Sequence, residues 1–360
     1  MLLVDEVLRL NSRSTAEMTV DEMILLRVSL ESSEAIKQYE YDNRPKRGGI
    51  RYGFVQLFLL YLYMECRKTT YRGVVRNLSD HECRCLMFPK NGGGVCRPPS
   101  PATLNHFVNH VLARITEDIG KEISKAVLAV RPDHAYTYTL DSTPMQASRY
   151  NFDADYHPHY EIRMDKAHMI MADGFPISML HSNGHANDGP YGIPLVERMC
   201  EISPGMKAGE IHADGLYDAF LTYAYVYIHT GMMMRCNQGI GAVHSGFTDE
   251  RIVEEYNGLW KKKGYDPHRK NDIDFMLRFL YKHGKEETVG MYLRDRSMDL
   301  DAKEGKTNAR HVCETVHRAM KRWMAFDIFR IAKATKTIRV RCRFLCLQLL
   351  ATLFKGYAET

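Results

Sequence analysis

The sequence predicts an α/β protein: a mixed sheet flanked by helices, preceded by an all-helical region and interrupted by a mostly helical insert. Three observations carry this. Helical periodicity fills the first 130 residues and stops at Arg131-Pro132. At Ala135 the period switches to alternation, and strand-like and helix-like stretches then succeed one another as far as Asn237. From Gln238 to about Met298 the pattern turns helical and highly charged. These breaks divide the chain into 1–130, 131–237, 238–298 and 299–360.

A chain of 360 residues can bury at least one large core. The net charge is only +5, but it is unevenly spread. Residues 1–45 hold five Lys/Arg against nine Asp/Glu, whereas 303–343 hold twelve against three. A basic block near candidate carboxylates points to a polyanionic partner such as nucleic acid. No window approaches the 18 uninterrupted apolar residues of a membrane span. The start, MLLVDEVLRLNSRS, carries early acids and does not read as a secretory leader. Nine cysteines without regular spacing suggest reduced thiols, so a cytoplasmic location is expected. His81-x-Cys83-x-Cys85 with Cys96 matches no standard zinc spacing.

In order, MTVDEMILLRVSL reads as a helix capped by Thr19, and DNRPKRGG (42–49) as a loop. FVQLFLLYLYMEC (54–66) is apolar all round, as in a buried helix. TTYRGVVRNLSD (69–80) and PPSPATLNHFVNHVLARI (98–115), the latter with Ser100 as cap and Pro101 as first residue, resemble a helix-turn-helix or form a plain bundle. AYTYTLD (135–141) alternates as a strand and ends at Asp141 in a DST turn. DYHPHY reads as a proline-containing loop. HYEIRMDKAHMIMA (159–172) is one long strand or two, and Gly174 turns it into the strand FPISMLHS. PYGIPLVERMC is a helix, GEIHADG a short strand ending at Asp214, LYDAFLTYAYVYIH a helix and GMMMRCN a strand. In the insert DERIVEEYNGLWKKKGY and DIDFMLRFLYKHG are helices, and VGMYLRDRS (289–297) looks strand-like. RVRCRFLCLQLLATLF closes the chain as an amphipathic helix.

Chemistry concentrates in NARHVCETVHRAMKRWMAF (308–326). At 100° per residue, Arg310, Glu314 and Lys321 fall within about 40° on one helical face, opposite an apolar anchor. A carboxylate between two cations on a rigid helix can hold a metal while the cations grip phosphates. The plain alternative is a solvated face with ordinary pairing. Asp141 and Asp214 stand at two strand ends, and strands, helix, strand and then helices is the element order of an RNase H-like core. That layout brings two strand-end aspartates together and packs a third acid across them. Three carboxylates can hold two Mg²⁺ ions, and hard oxygen donors suit Mg²⁺. Asp155, Asp188 and Asp218 are competing acids, with Asp218 placed one turn into a helix.

These residues resemble those of the DDE transposases of bacterial and archaeal insertion sequences. The family's R-x3-E-x6-K signature is met by Arg310, Glu314 and Lys321, although its tyrosine is replaced by Thr307. LDSTPM (140–145) is similar to the first-aspartate turn and HADGLYD (212–218) to the second. The hairpin between them, with Lys166, His168 and the later Asp188, also resembles the family's, as does the N-terminal helical region. The resemblance covers roughly residues 50–355, with 100 residues between Asp214 and Glu314 leaving room for an insert.

It implies a transposase that hydrolyses the ends of its own mobile element and joins the freed 3′-hydroxyl to target DNA. Asp141, Asp214 and Glu314 would be the catalytic ligands of two Mg²⁺ ions, with Mn²⁺ able to substitute. Arg310, Arg318, Lys321, Arg322, Lys166 and His168 would contact DNA. Double-stranded DNA would be the partner, its ends paired by a protein homodimer, with no membrane. The alternatives are a catalytically inactive or repurposed DNA-binding protein of the same fold, and a nuclease that hydrolyses without joining.

Overall fold

The computed structural model describes residues 20–43, 52–89, 96–158, 160–204, 209–237, 242–263, 272–304 and 335–354, with positions 313, 314, 316–318 and 321. Thr19, Thr307, Arg310, Arg322 and His159 lie outside the described residues.

The N-terminal region is helical: α1 (Val20–Ser32), α2 (Glu34–Asp42), α3 (Phe54–Cys66), α4 (Tyr71–Arg76) and α5 (Asp80–Cys85). Side-chain caps start most of them. Thr70 Oγ1 accepts the Gly73 N–H, and Ser79 with Glu82 forms a reciprocal capping box. Helix α6 (Pro101–His106) opens on Ser100 and Pro101 as expected, then runs through a π-helical turn (Phe107–Leu112) into α7 (Ala113–Ala129). The helical stretch that begins at Pro101 thus continues to Ala129, and its first segment, α6, packs against α4.

The sheet has six strands: β1 (Thr137–Gln146), β2 (Asp155–His157), β3 (Ile162–Ala172), β4 (Phe175–Asn183), β5 (Glu210–Asp214) and β6 (Met233–Asn237). It is mixed. β1 pairs antiparallel with β3 and parallel with β5, β5 pairs parallel with β6, and β4 lies antiparallel on β3. Helices α8 (Gly189–Ile202) and α9 (Phe220–Thr230) are the crossovers that parallel pairing requires. Side chains alternate across β3: Ala167, Met169 and Met171 join one core, Ile170 and Ala172 the other. The first core also holds α1, α3, α7 and α13 (Lys336–Phe354) residues, so the N-terminal helices and the C-terminal helix cover one face of the sheet together. The second core packs α8, α9, α10 (Asp249–Lys262), α11 (Ile273–Lys282) and α12 (Glu286–Glu304) against the other.

Several expectations need correcting. β1 does not end in a turn at Asp141. It runs to Gln146, because antiparallel pairing continues from Asp141↔Met169 to Gln146↔Met164 after the parallel partner has stopped at Leu140↔Ala213. Asp155–His157 is a short strand on β3 rather than a loop. The stretch 289–297 is helical, within α12: Val289, Tyr292 and Leu293 recur at helical spacing and are buried. Gly290 leaves no room for a Cβ against the Phe220 backbone, so α12 lies directly on α9. α12 also crosses the expected boundary at 298 and docks on β6, where Arg235 binds Asp301 (2.7 Å) and Glu304 (3.0 Å). Asp218 sits between a 3₁₀ turn (Gly215–Tyr217) and α9, not inside a helix. Among the described residues no helix is long and apolar enough to cross a membrane, and all nine cysteines are free thiols.

Candidate active site

The site forms where the β1–β5 pairing ends. The last registered pair is Leu140↔Ala213, so the next residues, Asp141 and Asp214, stand side by side on adjacent parallel strands. Beyond them β1 keeps only its β3 neighbour, and the sheet opens. Each aspartate is held by the amide that follows it. The Ser142 N–H donates to Asp141 Oδ1 (2.8 Å) and the Gly215 N–H to Asp214 Oδ1 (2.7 Å). Such bonds fix the carboxylate plane.

The third acid comes from the late helix. The described residues within 313–321 are helical, and buried Cys313 and Val316 anchor them in the first core. Glu314 is exposed toward a cleft of about 360 Å³ that Asp141, Asp214 and Glu314 all line. The Cys313 thiol senses the convergence. Burial raises its pKa most, and the negative charges of Asp141, Asp214 and Glu314 raise it further. Tyr217, beneath the sheet end, is pushed up by burial and then by Asp188, Asp141, Cys313 and Asp214.

His317, one turn after Glu314, also lines the cleft. Its Nδ1 stands 3.6 Å from Asp141 Oδ2. Burial, aided by Lys321, pushes its pKa down to about 3, so the ring is neutral and its approach to Asp141 is no ion pair. Sequence reasoning passed over His317, although the three-residue step from Glu314 put it on a neighbouring part of the same face.

The remaining candidates separate. Lys166 lines the cleft, its Nζ donating to Asp188 Oδ1 (3.0 Å) and the Ala186 carbonyl (3.0 Å). His168 does not reach the cleft surface, a correction to its expected DNA contact. It is completely buried, stacks flat on Tyr191 (3.9 Å between centroids), and its Nε2 meets Ser182 Oγ at 2.7 Å. Burial, helped by Lys166 and His181 against Asp188, lowers its pKa to about 4. Strand alternation does set Lys166 and His168 on one face, but the crossover into α8 closes over the second. Asp188 is 1% exposed and Asp218 is taken by Arg294 in a two-pronged ion pair (2.9 and 3.0 Å), so neither competes as an open ligand. Arg318 and Lys321 are exposed, four and seven residues after Glu314, and the Lys321 carbonyl accepts Lys68 Nζ at 3.1 Å. In the His81, Cys83, Cys85 and Cys96 group, whose spacing fits no standard zinc site, Cys83 is buried in the core, while His81 Nε2 meets Cys85 Sγ at 3.8 Å.

The donors at the cleft are oxygen-rich, which suits a hard divalent cation. Among the described residues no group of three or more His, Cys, Asp or Glu side chains is drawn close enough to hold a metal ion. Three carboxylates around one cleft repel each other, a cost that a divalent cation would relieve. Compared with protein-family models and with curated proteins, the chain matches none.

Proposed function

We propose that the chain is a DDE-type transposase with an RNase H-like core: a metal-dependent enzyme that cuts DNA at the ends of its mobile element and joins them to a target. The observation that carries this reading is that Asp141, Asp214 and Glu314, up to 173 residues apart (314 − 141), line one cleft. The strand order supports it as well. From β4 through β3, β1 and β5 to β6 the sheet is mixed, with β3 the antiparallel member and Asp141 and Asp214 on neighbouring parallel strands.

The residues divide the work as follows. Asp141 and Asp214, held by their following amides, and Glu314 on its anchored helix would hold two Mg²⁺ ions. Ions held there would supply Lewis acidity toward water or a 3′-hydroxyl and toward the leaving oxygen of a phosphodiester. Lys166 presents an ammonium group to the same cleft, placed to meet a phosphate oxygen. Arg318 and Lys321 extend positive charge along the exposed face of the Glu314 helix, suited to backbone contact without sequence readout. Hydrolysis and strand transfer are both in-line displacements at phosphorus, so one site serves both. Pairing of two DNA ends by a homodimer belongs to the same proposal.

The test uses end-labelled DNA flanking the gene, purified protein and Mg²⁺ or Mn²⁺. Cuts at a repeat boundary with products both shorter and longer than the input are expected. Shortened strands alone would make the protein a nuclease, and tight binding without cuts a DNA-binding protein.

A further inference from the structure

Asp188 is the most enclosed carboxylate lining the cleft, 1% exposed. Burying an ionised carboxylate costs several kcal/mol unless it is paired and hydrogen-bonded. Its place just before α8 suggests a helix cap, yet its side chain makes no capping hydrogen bond. It turns instead to the sheet. Oδ2 accepts the Ser142 hydroxyl (2.7 Å) and Oδ1 the Lys166 ammonium (3.0 Å), with His168 Nδ1 3.7 Å away. Ser142 is also the residue whose amide donates to Asp141 Oδ1 (2.8 Å). One serine thus bridges the buried carboxylate and the open one: its hydroxyl is tied to Asp188 and its amide holds Asp141.

We propose that Asp188 is a positioning residue for the metal site, fixing the Asp141 carboxylate through Ser142 while it holds the Lys166 ammonium at the cleft. The inference rests on the metal-dependent reading above. The rigidity of the hub comes from its surroundings. Lys166 is held a second time by the Ala186 carbonyl, and His168 is locked between Ser182 and the face of Tyr191. Ser142 therefore cannot turn without breaking its bond to the Asp188 carboxylate. Outer partners of this kind orient a ligand, and their loss commonly weakens metal binding by about 10- to 100-fold.

The experiment measures Mn²⁺ affinity of the full chain without DNA, from the electron paramagnetic resonance signal of free Mn²⁺. Asp188→Asn keeps the shape and removes the charge, and Ser142→Ala is a milder change that keeps the amide. Each is expected to weaken Mn²⁺ binding by about 10-fold or more. The double variant should be no weaker than Asp188→Asn, because both break one path. DNA cleavage should recover toward wild type at saturating Mn²⁺. Affinities within about twofold of wild type in both variants would overturn the inference, even if the melting temperature falls. If Asp141→Asn abolishes Mn²⁺ binding while Asp188→Asn and Ser142→Ala leave it intact, this inference alone fails. A wild-type chain that binds no Mn²⁺ overturns this inference and the metal-dependent reading together.

Discussion

Asp214→Asn is expected to lower DNA cleavage by about 10³-fold or more while leaving the protein folded. An asparagine oxygen still accepts the Gly215 N–H, so the turn that follows β5 keeps its cap. On the proposed metal-dependent reading, the substitution removes a negative donor to a divalent cation, worth several kcal/mol of transition-state stabilisation, and about 4 kcal/mol corresponds to 10³ in rate. Stability should move the other way or not at all. Asp214 shares the cleft with Asp141 and Glu314, and removing one of three like charges relieves repulsion. A single-turnover rate and a thermal melt of the same preparation check both halves. A variant that loses activity only because it unfolds would argue against a catalytic role.

The second large effect is structural. Glu65 on α3 is 1% exposed and meets two arginines of α13, Arg343 Nε at 2.9 Å and Arg339 Nη2 at 3.7 Å. Glu65→Ala would remove the carboxylate that faces the buried Arg343 guanidinium and should destabilise the chain by about 3–5 kcal/mol. Replacing Glu65, Arg339 and Arg343 together by apolar residues of similar volume should cost far less. Midpoints of urea unfolding for the single and triple variants test this. The effect reaches the site, because α13 closes the same core in which Cys313 and Val316 anchor the Glu314 helix.

How much of this was legible beforehand depended on range. Helix positions followed from local patterns. Ser100 and Pro101 mark a start that the structure keeps, and the mostly apolar 54–66 stretch is buried nearly all round. The three acids could be picked out in order, but no local pattern says that they share a cleft. That follows from the Leu140↔Ala213 register and the anchoring of Cys313, both long-range facts. Tertiary contacts also decided the misreadings. Alternating residues at 289–297 are equally compatible with a helix once Gly290 can pack on Phe220. The β1 strand outruns Asp141 because its β3 partner does. Lys166 and His168 look alike in the sequence, and only the fold separates a cation at the cleft from a ring buried beneath it. The bridging role of Ser142 between two carboxylates 47 residues apart (188 − 141) had no local signal.

The most direct test of a shared metal centre replaces Mg²⁺ with Fe²⁺ and generates hydroxyl radicals with ascorbate and peroxide. The radicals cut the polypeptide close to the bound ion, and the fragments are mapped by mass. Cuts clustered near residues 141, 214 and 314, all suppressed by excess Mg²⁺ and by Asp141→Asn, are the predicted result. Cuts at only one of the three segments, or at none while Mg²⁺-dependent DNA cleavage persists, would contradict a centre built from these carboxylates.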